Sequence, residues 1–468
     1  MLRKLGLAIL MACALWSTCT LTTTWADTPS PPNILVILVD DLGWGDLGCF
    51  GASDLSTPNV DRLAQEGMRM VNFYANSPVC SPTRASLLSG CYPDRVGVPG
   101  VIRTHSWNSW GYLDPQIELL PGCLVKVGYQ TVLVGKWHLG LDRPNIPTAR
   151  GFAHFHGFLG DMMDDYWNHR RHGINYMREN EHEIDPSGHA TDLFTEWACQ
   201  YIHTYREVSP GRPFFLYLAY NAPHVPIQPP EEWLNRYRQR HPEATEKRAK
   251  LAAFIEHLDN GVGRVLKTLD ETDLADKTLV IFTSDNGGQL DVGANNGPYR
   301  AGKGTMYEGG IRVPMVVRWP GQIPAGSESR VVALTMDLFP TLLEAAAAPI
   351  PSGRDGVSLL PIWQGKQESI PVRDLFWIRL EGHEAGFSYA IRRGHYKLIH
   401  HAPTHKTPRP EELYDLEVDP YETKDLRQTQ HQVFLEMLRL LDERTLKTIN
   451  VPWRDERGLG PGEIAPGN

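Results

Sequence analysis

The chain has no long run of basic residues, and its formal charge of −9 is mild for 468 residues. That balance gives no reason to expect nucleic acid as a partner, so an anionic substrate has to be drawn by a local cluster of cations. Long apolar stretches are missing as well. The N-terminal run at residues 5–16 is too short to span a bilayer comfortably, and no stable membrane anchor is expected. There is no Cys/His pattern with zinc spacing, no internal repeat and no low-complexity segment. Cysteine is scarce, at seven. Arg3 and Lys4 precede the apolar run and Thr24-Trp25-Ala26 follows it, so residues 1–26 read as a signal peptide for export to a periplasm or the exterior. Cys13 and Cys19 leave with it. Cys49, Cys80, Cys91, Cys123 and Cys199 remain, an odd number for an oxidising compartment; one is then set apart from pairing, and Cys80 is the candidate.

What is present is an ordinary share of hydrophobic residues, 41%, enough for one large domain and a smaller one. Four apolar, β-rich runs each hand over to polar residues at the C-terminal end. Residues 33–39 (NILVILV) lead into Asp40-Asp41, and 130–134 (QTVLV) into Gly135-Lys136-Trp137-His138. Residues 214–220 (FFLYLAY) lead into Asn221-Ala222-Pro223-His224, and 278–283 (TLVIFT) into Ser284-Asp285-Asn286-Gly287. Such runs read as buried parallel strands. Helical stretches lie between them, at 59–66, 118–127, 190–206 and 247–269. The fold class is therefore α/β, a large, mostly parallel sheet sandwiched by helices, with its ligand site beyond the carboxyl ends of the strands. Beyond residue 345 shorter strand-like runs at 375–380, 387–391, 396–400 and 412–416 predict a small antiparallel sheet, and 428–449 a helix packed on it. The division expected is 1–26, 27–345 and 346–468.

At those strand ends Asp40, Asp41, Asp285 and Asn286 offer only oxygen ligands, a set suited to one hard divalent cation, Ca²⁺ or Mg²⁺. Lys136, Lys303 in a glycine-flanked loop, and Arg84 supply fixed positive charge for an anion with several oxygens. His138 and His224 each follow a strand end, where an imidazole serves proton transfer near neutral pH. His154, His156, His169 and His172 have no such placement. Cys80 opens a predicted helix, with Ser81 as N-cap and Pro82 at the first helical position, so free N–H groups and the helix dipole point at its neighbourhood. Aromatics at 105–112 (HSWNSWGY) and in Asp164-Asp165-Tyr166-Trp167 are candidates for stacking on sugar rings.

Cys80-Ser81-Pro82-Thr83-Arg84 with Leu88 and Gly90, together with Gly128 to His138 (GYQTVLVGKWH), resemble the sulfatase family of the alkaline phosphatase superfamily. Asp40-Asp41, Asp285-Asn286-Gly287, Gly302-Lys303-Gly304, Glu308 to Pro314 (EGGIRVP) and Glu412 to Leu416 (ELYDL) carry the resemblance over nearly all of the mature chain. Ser89, where threonine is usual, is a small departure. The resemblance implies that a separate formylglycine-generating enzyme oxidises Cys80 to formylglycine, whose hydrate carries two hydroxyls. One would attack sulfur beside the metal, usually calcium, held by Asp40, Asp41, Asp285 and Asn286. Lys136 and Lys303 would hold the sulfate oxygens, His224 would protonate the departing alcohol, His138 would help the second hydroxyl expel sulfate, and Arg84 would orient the diol. The implied substrate is a sulfate ester, on a carbohydrate or, as surrogate, an aryl group. Two other readings are a phosphonate or phosphate ester hydrolase on the same scaffold, and a catalytically silent, calcium-dependent glycan-binding protein with Cys80 unconverted.

Overall fold

The computed structural model describes residues 31–105, 109–209, 211–380, 387–401 and 410–449. The proposed signal peptide, Trp107 and the Gly/Pro-rich tail lie outside them. Ten strands form the main sheet: β1 (Asn33–Val39), β2 (Met68–Met70), β3 (Gln130–Lys136), β4 (His154–Phe158), β5 (Met177–Glu179), β6 (His182–Glu183), β7 (Phe214–Ala219), β8 (Thr278–Ser284), β9 (Met315–Arg318) and β10 (Ser327–Ser329). Their spatial order is β10-β2-β9-β8-β1-β7-β3-β4-β5-β6. The central five, β8-β1-β7-β3-β4, are all parallel; β9 and β5 join antiparallel on either side. Every residue of β1, β7 and β8 is buried. This is why these strands are continuous apolar runs rather than alternating ones: both faces of the sheet are covered, as a parallel core requires.

The covering helices are α1 (Pro58–Glu66), α2 (Cys80–Ser89), α3 (Ala190–Val208) and α4 (Glu246–Glu271), with the shorter Leu120–Val125 and Leu338–Ala345. α4 packs on α1 and α3, while α2 packs on Leu338–Ala345. The expected α/β architecture is the one observed, and the helix ends fall within three residues of their expected positions. The C-terminal elements follow the expectation too: β11 (Leu375–Leu380), β12 (Phe387–Arg393), β13 (Tyr396–His400) and β14 (Glu412–Asp415) form an antiparallel sheet in that order, against which His431–Ile449 packs. Its apolar side, with Trp377, Ile378, Leu398 and Leu413, shares a core with Tyr74, Met306 and Ile311 of the preceding chain. All five described cysteines are free. No helix among the described residues is long and apolar enough to cross a membrane.

Candidate active site

Because β1 lies between β7 and β8 in register, with Leu38 beside Ala219 and Val39 beside Ser284, the residues that follow these strands emerge side by side. Backbone bonds continue past the strand ends: Asp40 N–H donates to the Ala222 carbonyl and Asp285 N–H to the Val39 carbonyl, each at 3.1 Å. Asp40, Asp41, Asp285 and Asn286 are thereby brought into one buried cluster, each at most 4% exposed. Asp41 and His138 both adopt left-handed backbone (φ 68° and 62°), a conformation uncommon for residues with a side chain and concentrated at functional sites.

Three cations answer the three carboxylates. Arg84 donates through Nε and Nη2 to Asp285 Oδ2 at 2.9 and 2.7 Å, Lys136 Nζ bonds Asp40 Oδ2, and Lys303 Nζ donates to Asp41 Oδ2 at 2.7 Å. Burial by itself would raise the Asp40 carboxyl, but Lys136, His224, Arg84 and Lys303 together hold it well below the usual range. Burial and then Asp40 push Asp285 up to about 7 against the pull of Arg84. The Cys80 thiol is likewise driven up by burial and by Asp40 and Asp285; it donates to Asp40 Oδ1 at 3.2 Å and, like a structural thiol, has little thiolate character.

Ser81 is not the N-cap. Cys80 is itself the first residue of α2, Val79 occupies the cap position without a side-chain bond, and Ser81 Oγ accepts from the Ile102 N–H at 3.0 Å. The serine hydroxyl is spent on the neighbouring loop, and the helix starts two residues earlier than the capping pattern implied, at Cys80 and not at Pro82.

Above the cluster is a cavity of about 320 Å³, lined by Cys80, His138, His224 and Lys303 among others. His224 Nδ1 bonds the Val225 carbonyl at 2.7 Å and Nε2 lies 3.6 Å from Asp41 Oδ2. His138 Nε2 bonds the Ile102 carbonyl at 2.8 Å, leaving its buried Nδ1 without a partner. Burial lowers both rings, helped by Lys303 at His224 and by Lys136 and Arg84 at His138. Lys136 and Arg84 sit beneath the cavity, wholly buried. A roomier hollow of about 650 Å³ between Ser327–Val332 and 367–373 contains none of these groups.

Four further charged side chains line the cavity that sequence reasoning missed: Arg103, Asp161, Asp291 and Arg379. Arg379 comes from β11 and bonds the Gly304 carbonyl beside Lys303. Of the aromatic candidates, Trp110 and Tyr166 are core residues, and Tyr166 OH donates to the His224 carbonyl at 2.9 Å; Trp167 is exposed.

The donor set fits a hard divalent cation. Every ligand atom offered by Asp40, Asp41, Asp285 and Asn286 is oxygen, and Asn286 Oδ1 is buried with no hydrogen-bond partner while its Nδ2 donates to Asp41 Oδ1 at 2.7 Å. A buried amide oxygen left unpaired inside a carboxylate cluster is what a cation would satisfy.

The Sulfatase family model matches residues 32–348, and a model described as N-sulphoglucosamine sulphohydrolase, C-terminal, matches residues 300–448. The chain is 39% identical over 378 residues to N-acetylgalactosamine-6-sulfatase of Canis lupus familiaris, covering 76% of this chain and 70% of that protein. It is 31% identical over 490 residues to arylsulfatase A of Homo sapiens, covering 93% and 91%. Among solved structures, that of Ps i-CgsB in complex with k-i-k-neocarrahexaose superposes with a TM-score of 0.82 at 29% identity, covering 91% of this chain and 95% of that one. Similarity that runs through the central sheet and through every loop meeting at the cavity makes one assignment: the chain belongs to the sulfatase family and is a sulfuric ester hydrolase.

Proposed function

We propose that the protein is exported and removes sulfate from a sulfated carbohydrate, using formylglycine made from Cys80 and one divalent cation, calcium, held by Asp40, Asp41, Asp285 and Asn286. The observation that carries this reading is that Cys80 lines the cavity together with His138, His224 and Lys303, with its Sγ 3.2 Å from Asp40 Oδ1. When present, the aldehyde hydrate and the cation supply a nucleophilic oxygen and a Lewis acid. The chain's own residues do the rest. Lys303 and Lys136 present positive charge to the sulfate oxygens, stabilising charge as it develops in the transition state. His224 donates Nδ1–H to the Val225 carbonyl, so Nε2 carries a proton for the departing alcohol oxygen only in the imidazolium form, which Asp41, Asp40 and a bound sulfate favour against burial. His138 offers an unpaired Nδ1 as proton acceptor. Arg84, locked to Asp285, fixes the start of α2 and so the direction of residue 80.

Carbohydrate is favoured by the relatives, whose names specify N-acetylgalactosamine-6-sulfatase and a neocarrahexaose complex, and by the cavity walls. Arg103, Asp161, Asp291 and Arg379 give donors and acceptors for hydroxyl groups, where an aryl substrate would need an apolar wall. The test has two arms. Mass spectrometry of the peptide containing Cys80, from protein made in its own host, reads an aldehyde in place of the thiol. Released sulfate is then measured on defined sulfated oligosaccharides and on matched nitrophenyl sulfate and phosphonate. An intact thiol with no sulfate release would support a silent glycan-binding protein instead, and faster phosphonate turnover would support the other hydrolase reading.

A further inference from the structure

At the far side of the sheet β4, β5 and β6 carry a second group of metal-ligating side chains. His154 and His156 are two apart on β4, so they share one face, while Phe155 between them is buried on the other. In the ladder His156 stands opposite Glu179 of β5, and Glu179 opposite His182 of β6. Directly paired residues project on the same face. One imidazole nitrogen from each of His154 and His156 and a carboxylate oxygen of Glu179 lie within 4.8 Å of one another.

We propose that His154, His156 and Glu179 form a site for a borderline divalent metal ion, zinc in the first instance, distinct from the oxygen-only cluster at Asp40 and Asp285. The ligand type separates the two. Two imidazoles and one carboxylate are a zinc set with a fourth position open, whereas calcium takes oxygen donors and six or more of them. Tetrahedral zinc holds its donors at about 2.0–2.2 Å, hence roughly 3.3 Å from each other. With His156 held by its stack, the half-buried His154 and the exposed Glu179 close the remaining gap by rotation, and the exposed His182 is one pairing step from Glu179 as a fourth donor.

Two comparable groups lack this readiness. His189 already uses both ring nitrogens, accepting from Thr191 N–H at 3.2 Å and bonding the Gln228 carbonyl at 3.0 Å. His395 lies near Asp415 and Glu417, at 3.9 and 3.7 Å, on an open surface. By contrast, among the described residues no hydrogen bond or ion pair engages the side chains of His154, His156 and Glu179; the two imidazoles lie edge-on to each other, and His156 is held flat on Trp197 with centroids 3.4 Å apart. Stacking restrains the ring and leaves its nitrogens free. Burial lowers both imidazoles, His156 to about 4, so each keeps a lone pair at neutral pH.

The position gives the ion a consequence. β4 leads into, and β5 leads out of, residues 159–176, and Asp161 and Met162 of that segment line the catalytic cavity. An ion bridging β4 to β5 joins the two stems of a cavity wall. It touches none of the groups assigned to the sulfate ester, so this inference does not rest on the formylglycine reading.

The test is zinc titration of the full chain in excess calcium, which occupies the oxygen cluster, followed by calorimetry and by cobalt substitution, whose visible bands report tetrahedral coordination. The expected result is one equivalent of zinc, weakened at least tenfold in both H154N and E179Q, with calcium-supported sulfate release unchanged. Both substitutions are at partly exposed positions, and H154N leaves the His156–Trp197 stack in place. Zinc binding that is absent, or unaltered in both variants, or octahedral by cobalt spectrum, overturns the proposal. A folded His156→Gln variant, checked by circular dichroism, that still takes up one tetrahedral equivalent would overturn it too.

Discussion

His224 is held by its Nδ1 bond to the Val225 carbonyl, so only Nε2 is presented to the cavity. A proton there helps most when the departing oxygen is a poor leaving group. His224→Ala should therefore lower kcat/KM on an alkyl sugar sulfate by about 10²–10⁴-fold and far less on nitrophenyl sulfate; equal losses on both would deny it the role of acid. The orphaned Asn286 Oδ1 gives a second expectation. Chelation should abolish turnover and calcium restore it, and Asn286→Ala should raise the calcium concentration needed for half-maximal activity without unfolding the chain. Full turnover by verified metal-free protein would remove the cation from the site. The residues behind these predictions, His224 and Asn286, were legible in the sequence because each closely follows an apolar run. Arg379 was not. It lies within a strand-like run of another sheet, and only the close approach of β11 to the Lys303 loop makes it a wall of the cavity. Ser81 misled for a related reason, since its hydroxyl finds a loop partner more than twenty residues away.

At the scale of elements, α1 shows where local rules fall short. Thr57 precedes the helix as a capping residue should, yet caps nothing; its Oγ1 accepts from Gly48 N–H at 2.9 Å. The first turn is capped from α4: Asp259 accepts from the N–H groups of Asn59 and Val60 at 3.1 and 2.9 Å, and from Asn59 Nδ2 at 2.8 Å. A partner 200 residues distant leaves no mark in the local pattern. Burial pushes the Asp259 carboxyl up to about 6, against the pull of those donors. A folded value above the unfolded one means that this contribution to stability is complete below about 3.8 and is lost as pH rises through about 6. Between these limits the loss amounts to about 3 kcal/mol at most. The urea midpoint should accordingly fall from about pH 4 to pH 6 and level off above, and Asp259→Asn, which cannot titrate, should flatten that slope; an unchanged slope would place the titration elsewhere. The edge pair β5 and β6 was equally silent in the sequence. Strands of three and two residues have too few positions to show a period, and exist because β4 offers an edge to pair with.

Across the whole molecule the Asp285-Asn286-Gly287 loop and the C-terminal sheet are tied by one buried charge cluster. Glu308 begins the four-residue turn Glu308–Ile311, whose backbone packs so closely on Gly287 that a Cβ there would sit 1.9 Å from the Gly309 carbonyl oxygen. Gly287, next to Asn286, also donates to the Gly310 carbonyl at 3.0 Å. On its other side Glu308 accepts from Lys397 of β13 at 2.9 Å and from Tyr74 OH at 2.7 Å, and Lys397 also bonds Glu422 at 2.8 Å. The EGGIRVP motif thus serves the site by backbone contact on one face and holds the smaller sheet by charge on the other. Lys397 is 0% exposed, and its removal would leave two carboxylates buried together. Lys397→Met should cost about 3–5 kcal/mol, read as a shift in the urea midpoint at unchanged slope. Because the same turn supports Gly287, calcium affinity should fall in parallel, although Lys397 touches no ligand. Adding Glu422→Gln should recover part of both losses, since one unpaired carboxylate is then gone. A Lys397→Met protein with the original midpoint, or one whose calcium affinity is unmoved while stability drops, would show that the two sheets are joined by their shared apolar core and not through this cluster.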